Sequence, residues 1–352
     1  MSDDTPRRGK LDRTAFESVV RPAVGADRAD IRLGPAHGVD FGVLDVAGRA
    51  VVCATDPLSW LPGLDPERAG RFALSFALSD VAVSGLVPTH FCPSFALPGD
   101  ASDEAFAAFW GAVAAECDAL GVAVPTGHTA RYPGASFPWV GAATVLGVGD
   151  HDDVVRPDGA RPGDRLLVTR GPGIETAGVF ASLFPDALAE RGLDGATVAA
   201  AADLIEETSV VRDALVAAAA GRETADDADA GVTAMHDATE GGLRGALCET
   251  AAAADVRIDV DAAAVPRDDA ALATCAALDV DPWACTTSGT LLLAVDPAAV
   301  DRVVGALEAR DTPVGVAGEV RDGSGVFVDG ERVAPPAEDA SWAAYERLSG
   351  RD

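Results

Sequence analysis

An apolar strand that runs straight into paired glycines and then a helix constrains this chain more than any other stretch: Met235-His236-Asp237-Ala238-Thr239-Glu240-Gly241-Gly242-Leu243. Without side chains, Gly241 and Gly242 let backbone approach a ligand closely, and a helix starting near Leu243 offers unpaired N–H groups and the positive end of its dipole. These features predict a phosphate site made by Thr239, Gly241 and Gly242, with Asp237 holding a magnesium ion against the same phosphates. A plain helix start fits the residues equally well, with Asp237 or Thr239 as its N-cap.

Strand and helix signals alternate along the rest of the chain, the pattern of an α/β (α+β) protein. Residues 1–30 read as an arm with one short helix, Asp12 to Val20. Arg49 to Ala54 is a β-branched run ending at Thr55-Asp56, Glu67 to Gly85 an apolar helix, and Val87 to Leu97 a strand. Phe106, Phe109, Trp110, Val113, Cys117 and Leu120 recur at helical spacing, so Ser102 to Leu120 is a helix that Gly121 terminates. Val140 to Val148 is a further strand. Asp150 to Asp164, rich in Asp, Pro, Gly and Arg, has no periodicity and divides a first domain (31–150) from a second (165–335) through a linker (151–164), leaving a tail at 336–352. In the second domain Arg165 to Thr169, Val256 to Val260, Thr290 to Val295 and Val314 to Val320 read as strands. Ile174 to Leu183 and the Ala-rich Thr197 to Ala220 read as helices, the acidic run Glu223 to Asp229 as an exposed loop, and Asp329-Gly330 as a hairpin turn.

Charge narrows the partners. Across 352 residues, 27 Lys+Arg stand against 56 Asp+Glu, a formal charge of −29, and Lys10 is the only lysine. Such a chain repels nucleic acid and anionic membrane surfaces. Disorder does not explain the acidity, because 48% of the residues are hydrophobic and evenly spread. Self-repulsion is tolerable where salt screens it, and the composition resembles cytoplasmic proteins of salt-accumulating halophiles. Six scattered cysteines form no C-x-x-C pair and no Cys/His cluster, so they read as small buried residues. No window approaches the ~18 apolar residues of a membrane span, and a soluble, cytoplasmic protein is expected.

Four aspartates carry the chemical reading. Phe72, Phe76, Asp80 and Ser84 are four apart on one helix, which puts Asp80 in line with core-facing side chains. With no arginine close by, a bound cation is the economical partner, unless the helix breaks near Ser79 and Asp80 caps its continuation. Asp56 and Asp40, the latter within Gly38-Val39-Asp40-Phe41-Gly42, lie at strand edges. Asp40, Asp56, Asp80 and Asp237 together supply hard oxygen ligands suited to Mg²⁺ on a nucleotide. Pro125-Thr126-Gly127-His128-Thr129 reads as another turn with a weak phosphate signal. There is no G-x-x-x-x-G-K-[ST] loop and no G-x-G-x-x-G after a strand.

In this order, the segments resemble the superfamily of aminoimidazole ribonucleotide (AIR) synthase, thiamine-monophosphate kinase, selenophosphate synthetase and the hydrogenase maturation factor that dehydrates a carbamoyl group. Ser79-Asp80-Val81-Ala82-Val83-Ser84-Gly85 is similar to its N/S-D-(L/V)-A-x-x-G helix, Ala54-Thr55-Asp56 to its T-T-D element, and Met235 to Leu243 to the M-x-D-x-T-x-G-G-L element of the hydrogenase-maturation branch. Gly38 to Leu44 resembles the first acidic strand motif, with Val39 where an aspartate is usual. Arg170 to Thr176 and Gly127-His128-Thr129 resemble archaeal AIR-synthase-related proteins, and His128 stands where other branches usually carry Asp or Glu. The resemblance implies two αβ domains, a homodimer through the amino-terminal sheets, ATP held near that interface by Gly127, His128, Thr129, Thr239, Gly241 and Gly242, and Mg²⁺ on the four aspartates. An ATP-dependent enzyme that activates an oxygen of a small-molecule substrate by phosphoryl transfer is therefore expected. A small-molecule kinase and a nucleotide-binding regulatory module without turnover are the alternatives. Cys285, the last cysteine, is followed by residues patterned as strands and helices, so dehydration of a thiocarbamoylated tail of its own is not expected.

Overall fold

A computed structural model describes residues 9–222 and 231–350; the run Glu223 to Asp229 falls outside them. Two mixed sheets with helices make up the molecule. Ile31–Leu33 (β1), Gly42–Val46 (β2), Arg49–Ser59 (β3), Pro88–Leu97 (β4), His128–Arg131 (β5) and Trp139–Gly149 (β6) form the first, in the order β1-β2-β3-β6-β4-β5. Arg165–Thr169 (β7), Val232–Ala238 (β8), Arg257–Val260 (β9), Thr290–Val295 (β10), Val314–Arg321 (β11), Gly325–Val328 (β12) and Glu331–Val333 (β13) form the second, ordered β13-β12-β9-β11-β7-β10-β8. Every residue of β10 is buried, as suits an unbroken Thr-Leu-Leu-Leu-Ala-Val run lying between β7 and β8.

Helix Pro66–Ala82 connects the halves. Asp65 starts it by accepting from the backbone N–H groups of Glu67 and Arg68, and Pro66 occupies the first turn, where its missing N–H costs nothing. Phe72, Leu74, Leu78 and Val81 then sink into a core shared by the first sheet, Ile174–Leu183 and Val211–Arg222; each such fully buried side chain contributes roughly 1.5–3 kcal/mol. A separate apolar cluster lies between the second sheet and helix Gly242–Ala253. Asp103–Leu120 behaves as its periodicity requires, with Ser102 accepting from Ala105 N–H and Gly121 left-handed at φ 72°.

Several boundaries differ from the sequence reading. β3 does not stop before Asp56 but continues to Ser59. Asp-Pro reads as a stop, yet β2 pairs β3 only as far as Cys53, so at Pro57 the strand has β6 on one side alone and a missing N–H is tolerated there. The stretch Thr197 to Ala220 divides into Gly195–Asp203, the turn Leu204–Glu207 and Val211–Arg222. His128 and Thr129, read as turn residues, begin the edge strand β5. The segment read as a tail folds back and carries the helix Trp342–Ser349. No helix among the described residues is long and apolar enough to cross a membrane.

Candidate active site

Segments far apart in sequence deliver acids to the seam between the two sheets. Asp40 comes from the turn before β2, Asp56 from inside β3, Asp80 from the last turn of helix Pro66–Ala82, and Asp237 from the end of β8. The helix does not break at Ser79, so Asp80 caps nothing and is only 6% exposed. Asp40, Asp56 and Asp80 line a cavity of about 800 Å³ together with Lys10, Thr239 and Glu240. Asp237, 3% exposed, stands directly behind Asp40.

Among the described residues no arginine pairs with any of these four aspartates. Burial, followed by the charges of Asp56, Asp237 and Asp40, therefore pushes the Asp80 carboxyl well above the usual range. Asp56 is raised by its own burial against the opposing effects of Asp80 and Lys10. Burial and the neighbouring Asp40 push Asp237 up to about 7, against His236 and Lys10. One oxygen of Asp237, Oδ1, is buried with no hydrogen-bond partner. Crowded acids whose burial disfavours their charge, with an orphaned oxygen among them, have the chemistry of a cation-binding site. The four residues fit Mg²⁺, a hard ion that prefers such oxygens.

His236 was not anticipated. Its Nδ1 is bonded to Asp40 and its Nε2 lies 3.0 Å from Glu249 Oε2. Burial opposes its charge, but Asp40 and Glu249 outweigh it and hold the imidazole at about 10. Glu249 in turn is drawn down to about 2 against its burial, by Lys10 and then by His236. Asp40, His236 and Asp237 come close enough together to share an ion. A histidine donating from both ring nitrogens has no lone pair for a metal, however, so it fixes Asp40 rather than ligating.

Gly241 and Gly242 are engaged by protein groups at the start of the helix. Gly241 N–H donates to Asp339 Oδ2 at 2.8 Å, Gly242 N–H to Thr239 O, and Arg244 N–H to Trp283 O. The helix start is thus largely satisfied by protein groups. Gly242 has φ +65°, and a Cβ there would lie 2.5 Å from Cys285 O, so its glycine serves close packing. Neither glycine lines the cavity, whereas Thr239 does. Gly127, His128 and Thr129 lie away from the acids: His128 is exposed and shares a 2.9 Å hydrogen bond with the Tyr132 hydroxyl, and none of the three lines the cavity. Within one chain the structure does not bring them to the cluster.

Beyond the acids the cavity becomes aromatic, walled by Phe72, Phe76, Trp139, Phe180, Trp342 and Tyr345. Glu175 is buried in this part, its Oε2 accepting from Thr286 Oγ1 at 2.6 Å and Ser288 N–H at 3.1 Å, and burial raises its carboxyl. Cys285, by contrast, is fully buried beside Cys275.

Comparison with known proteins agrees with this architecture. The chain belongs to the AIR-synthase-related family: residues 38–148 match the N-terminal domain of AIR synthase related protein and residues 161–331 its C-terminal domain. Thiamine-monophosphate kinase of Halobacterium salinarum is 31% identical over 304 residues, covering 84% of this chain and 92% of that protein. Carbamoyl dehydratase HypE of Escherichia coli K12 is 28% identical over 299 residues, or 83% and 82% of the two chains. A solved structure of AaThiL complexed with AMPPCP and TMP superposes with a TM-score of 0.70 at 21% identity, covering 94% of this chain and 98% of the other, a likeness of fold.

Proposed function

We propose that this protein is an ATP- and Mg²⁺-dependent enzyme that activates an oxygen of a small molecule by phosphoryl transfer. The observation that carries the reading is the convergence of Asp40, Asp56, Asp80 and Asp237, with no arginine partner among the described residues and one orphaned buried oxygen, at the end of a cavity large enough for an organic substrate. Bound there, Mg²⁺ would neutralise phosphate charge. The protein's own contribution is the position of Asp40, held by the His236–Glu249 pair. The fold neighbour's complex with AMPPCP supports a triphosphate ligand.

A small-molecule kinase is the form of this reading favoured by the cavity, whose aromatic half leaves room for an acceptor beside the acids, and by the similarity to a thiamine-monophosphate kinase. A homodimer through the first sheet belongs to the same proposal. Val46, Val87, Val124, Trp139 and Val148, all in that half, are exposed apolar residues of the kind that a partner covers. Calorimetry of ATP with and without Mg²⁺, followed by ATP turnover in the presence of small phosphorylated alcohols, tests the reading. Mg²⁺-dependent binding and acceptor-stimulated turnover are expected; binding without any turnover would leave a regulatory module, and absence of binding would remove the reading.

A further inference from the structure

The one lysine of the chain sits at the mouth of the acidic cavity. Gly9 and Lys10 run alongside the Thr239-Glu240 turn: Lys10 N–H donates to Glu240 Oε1 at 2.9 Å, and Lys10 Nζ is 3.5 Å from Thr239 Oγ1. Gly9 has φ +89°, and a Cβ there would overlap Glu240 Oε1 at 1.7 Å, so only glycine lets the arm lie this close. Around the ammonium stand Glu249, Asp40, Asp80 and Asp237, which together outweigh the crowding that works against its charge.

The choice of residue is informative. Apart from the histidine pairs such as His236 with Asp40 and Glu249, the described carboxylates that pair with a cation elsewhere do so with arginine, whose fork suits a carboxylate, as Arg170 does at Asp213. A lysine at the most acidic point of the molecule is a compact, strongly hydrated point charge on a flexible stem, a group suited to phosphate oxygens and able to change partners. The arm that carries it is also free to shift, because its helical turns Arg13–Ala15, Phe16–Val20 and Arg21–Ala23 contain no buried residue.

We propose that Lys10 is a phosphate-binding residue: without nucleotide its ammonium stands in for a metal ion among the acids, and with nucleotide bound it turns to the terminal phosphate while remaining tethered at Glu240. This rests on the ATP reading above. Both states need a cation that reaches the acids and the Thr239 hydroxyl from one anchoring point, which the Gly9-Lys10 geometry provides.

Calorimetric titration of wild type, Lys10→Met and Lys10→Arg with Mg·AMPPCP and Mg·ADP tests it. Lys10→Met is expected to lose about tenfold or more in AMPPCP affinity and less than about twofold in ADP affinity, with Lys10→Arg recovering part of the loss. Titrated with Mn²⁺ alone, Lys10→Met should bind the ion more tightly than wild type, since a competing cation has been removed. Equal losses for the two nucleotides would reduce Lys10 to a structural tie and overturn the phosphate assignment; unchanged Mn²⁺ affinity would overturn the stand-in role. Wild type that binds neither nucleotide would instead mark failure of the ATP reading itself, and the phosphate assignment would fall with it.

Discussion

Asp213 and Asp80 are both buried aspartates on helices, and their surroundings are opposite. Asp213, 1% exposed, receives Arg170, Arg310 and the Thr312 hydroxyl, so both of its oxygens are paired. Asp80, 6% exposed, faces Asp56, Asp237 and Asp40 instead. The first arrangement ties the loop at Arg170 and the Arg310–Thr312 turn to helix Val211–Arg222 and is complete without a ligand. The second is a cost to the folded chain that Lys10 offsets in part and an added cation would relieve further. Buried charge by itself therefore says little about function; what matters is whether the protein has already answered it.

The contrast breaks most visibly if the acids are neutralised. Asp80→Asn and Asp237→Asn should each lower Mg²⁺-dependent ATP affinity by about a hundredfold or more, while stability in metal-free buffer holds or rises; calorimetry and denaturant unfolding on the same samples decide it. Asp213→Ala should do the reverse, costing about 3–5 kcal/mol of stability by stranding Arg170, with nucleotide affinity in the remaining folded protein unchanged.

The pH dependence sharpens the comparison at intermediate size. Asp237, at about 7, and His236, at about 10, both hold protons that the unfolded chain releases at lower pH. The stability of the metal-free protein should therefore fall as pH rises, from roughly 4 to 7 through Asp237 and from roughly 6.5 to 10 through His236. Glu249, at about 2, acts in the opposite direction but only below the ordinary glutamate range. Thermal melts from pH 5 to 9 should show the decline, and Asp237→Asn should flatten its lower limb. Melting temperature should also rise with KCl, since −29 is a self-repelling charge that salt screens; a flat or falling series would count against the halophile-like reading of the composition. The smallest effect belongs to His128→Ala, expected to alter ATP affinity by less than about twofold, because His128 engages Tyr132 at a distant sheet edge.

The legible parts of the site were those set by local periodicity. Four-residue spacing from Phe72 through Phe76 placed Asp80 on the buried helix face, and the end of helix Asp103–Leu120 at Gly121 followed from residue type. What sequence did not disclose was pairing across long separations. A lone histidine, with Asp40 196 residues away, gives no local signal. Gly241-Gly242 is ambiguous in sequence because such glycines serve a phosphate cradle and a tightly packed turn alike, and their contacts with Asp339 and Cys285 O appear only in the fold. The end of β3 was missed because Pro57 is a stop signal only where both strand edges are paired.

The turn at Thr239-Glu240-Gly241 is held from both sides of the chain: Glu240 by Lys10, 230 residues earlier, and Gly241 by Asp339, 98 residues later. Contacts so distant in sequence form only after the intervening loops have closed, and loop entropy delays them relative to helices and hairpins. Asp40, Asp56 and Asp80, near one another in sequence, can therefore come together before the turn is secured, so a folding chain gathers these mutually repelling carboxylates while the lysine that faces them is still at large. Counter-ions in the medium would have to serve in the interval, which makes the ionic surroundings a condition of folding speed as well as of final stability.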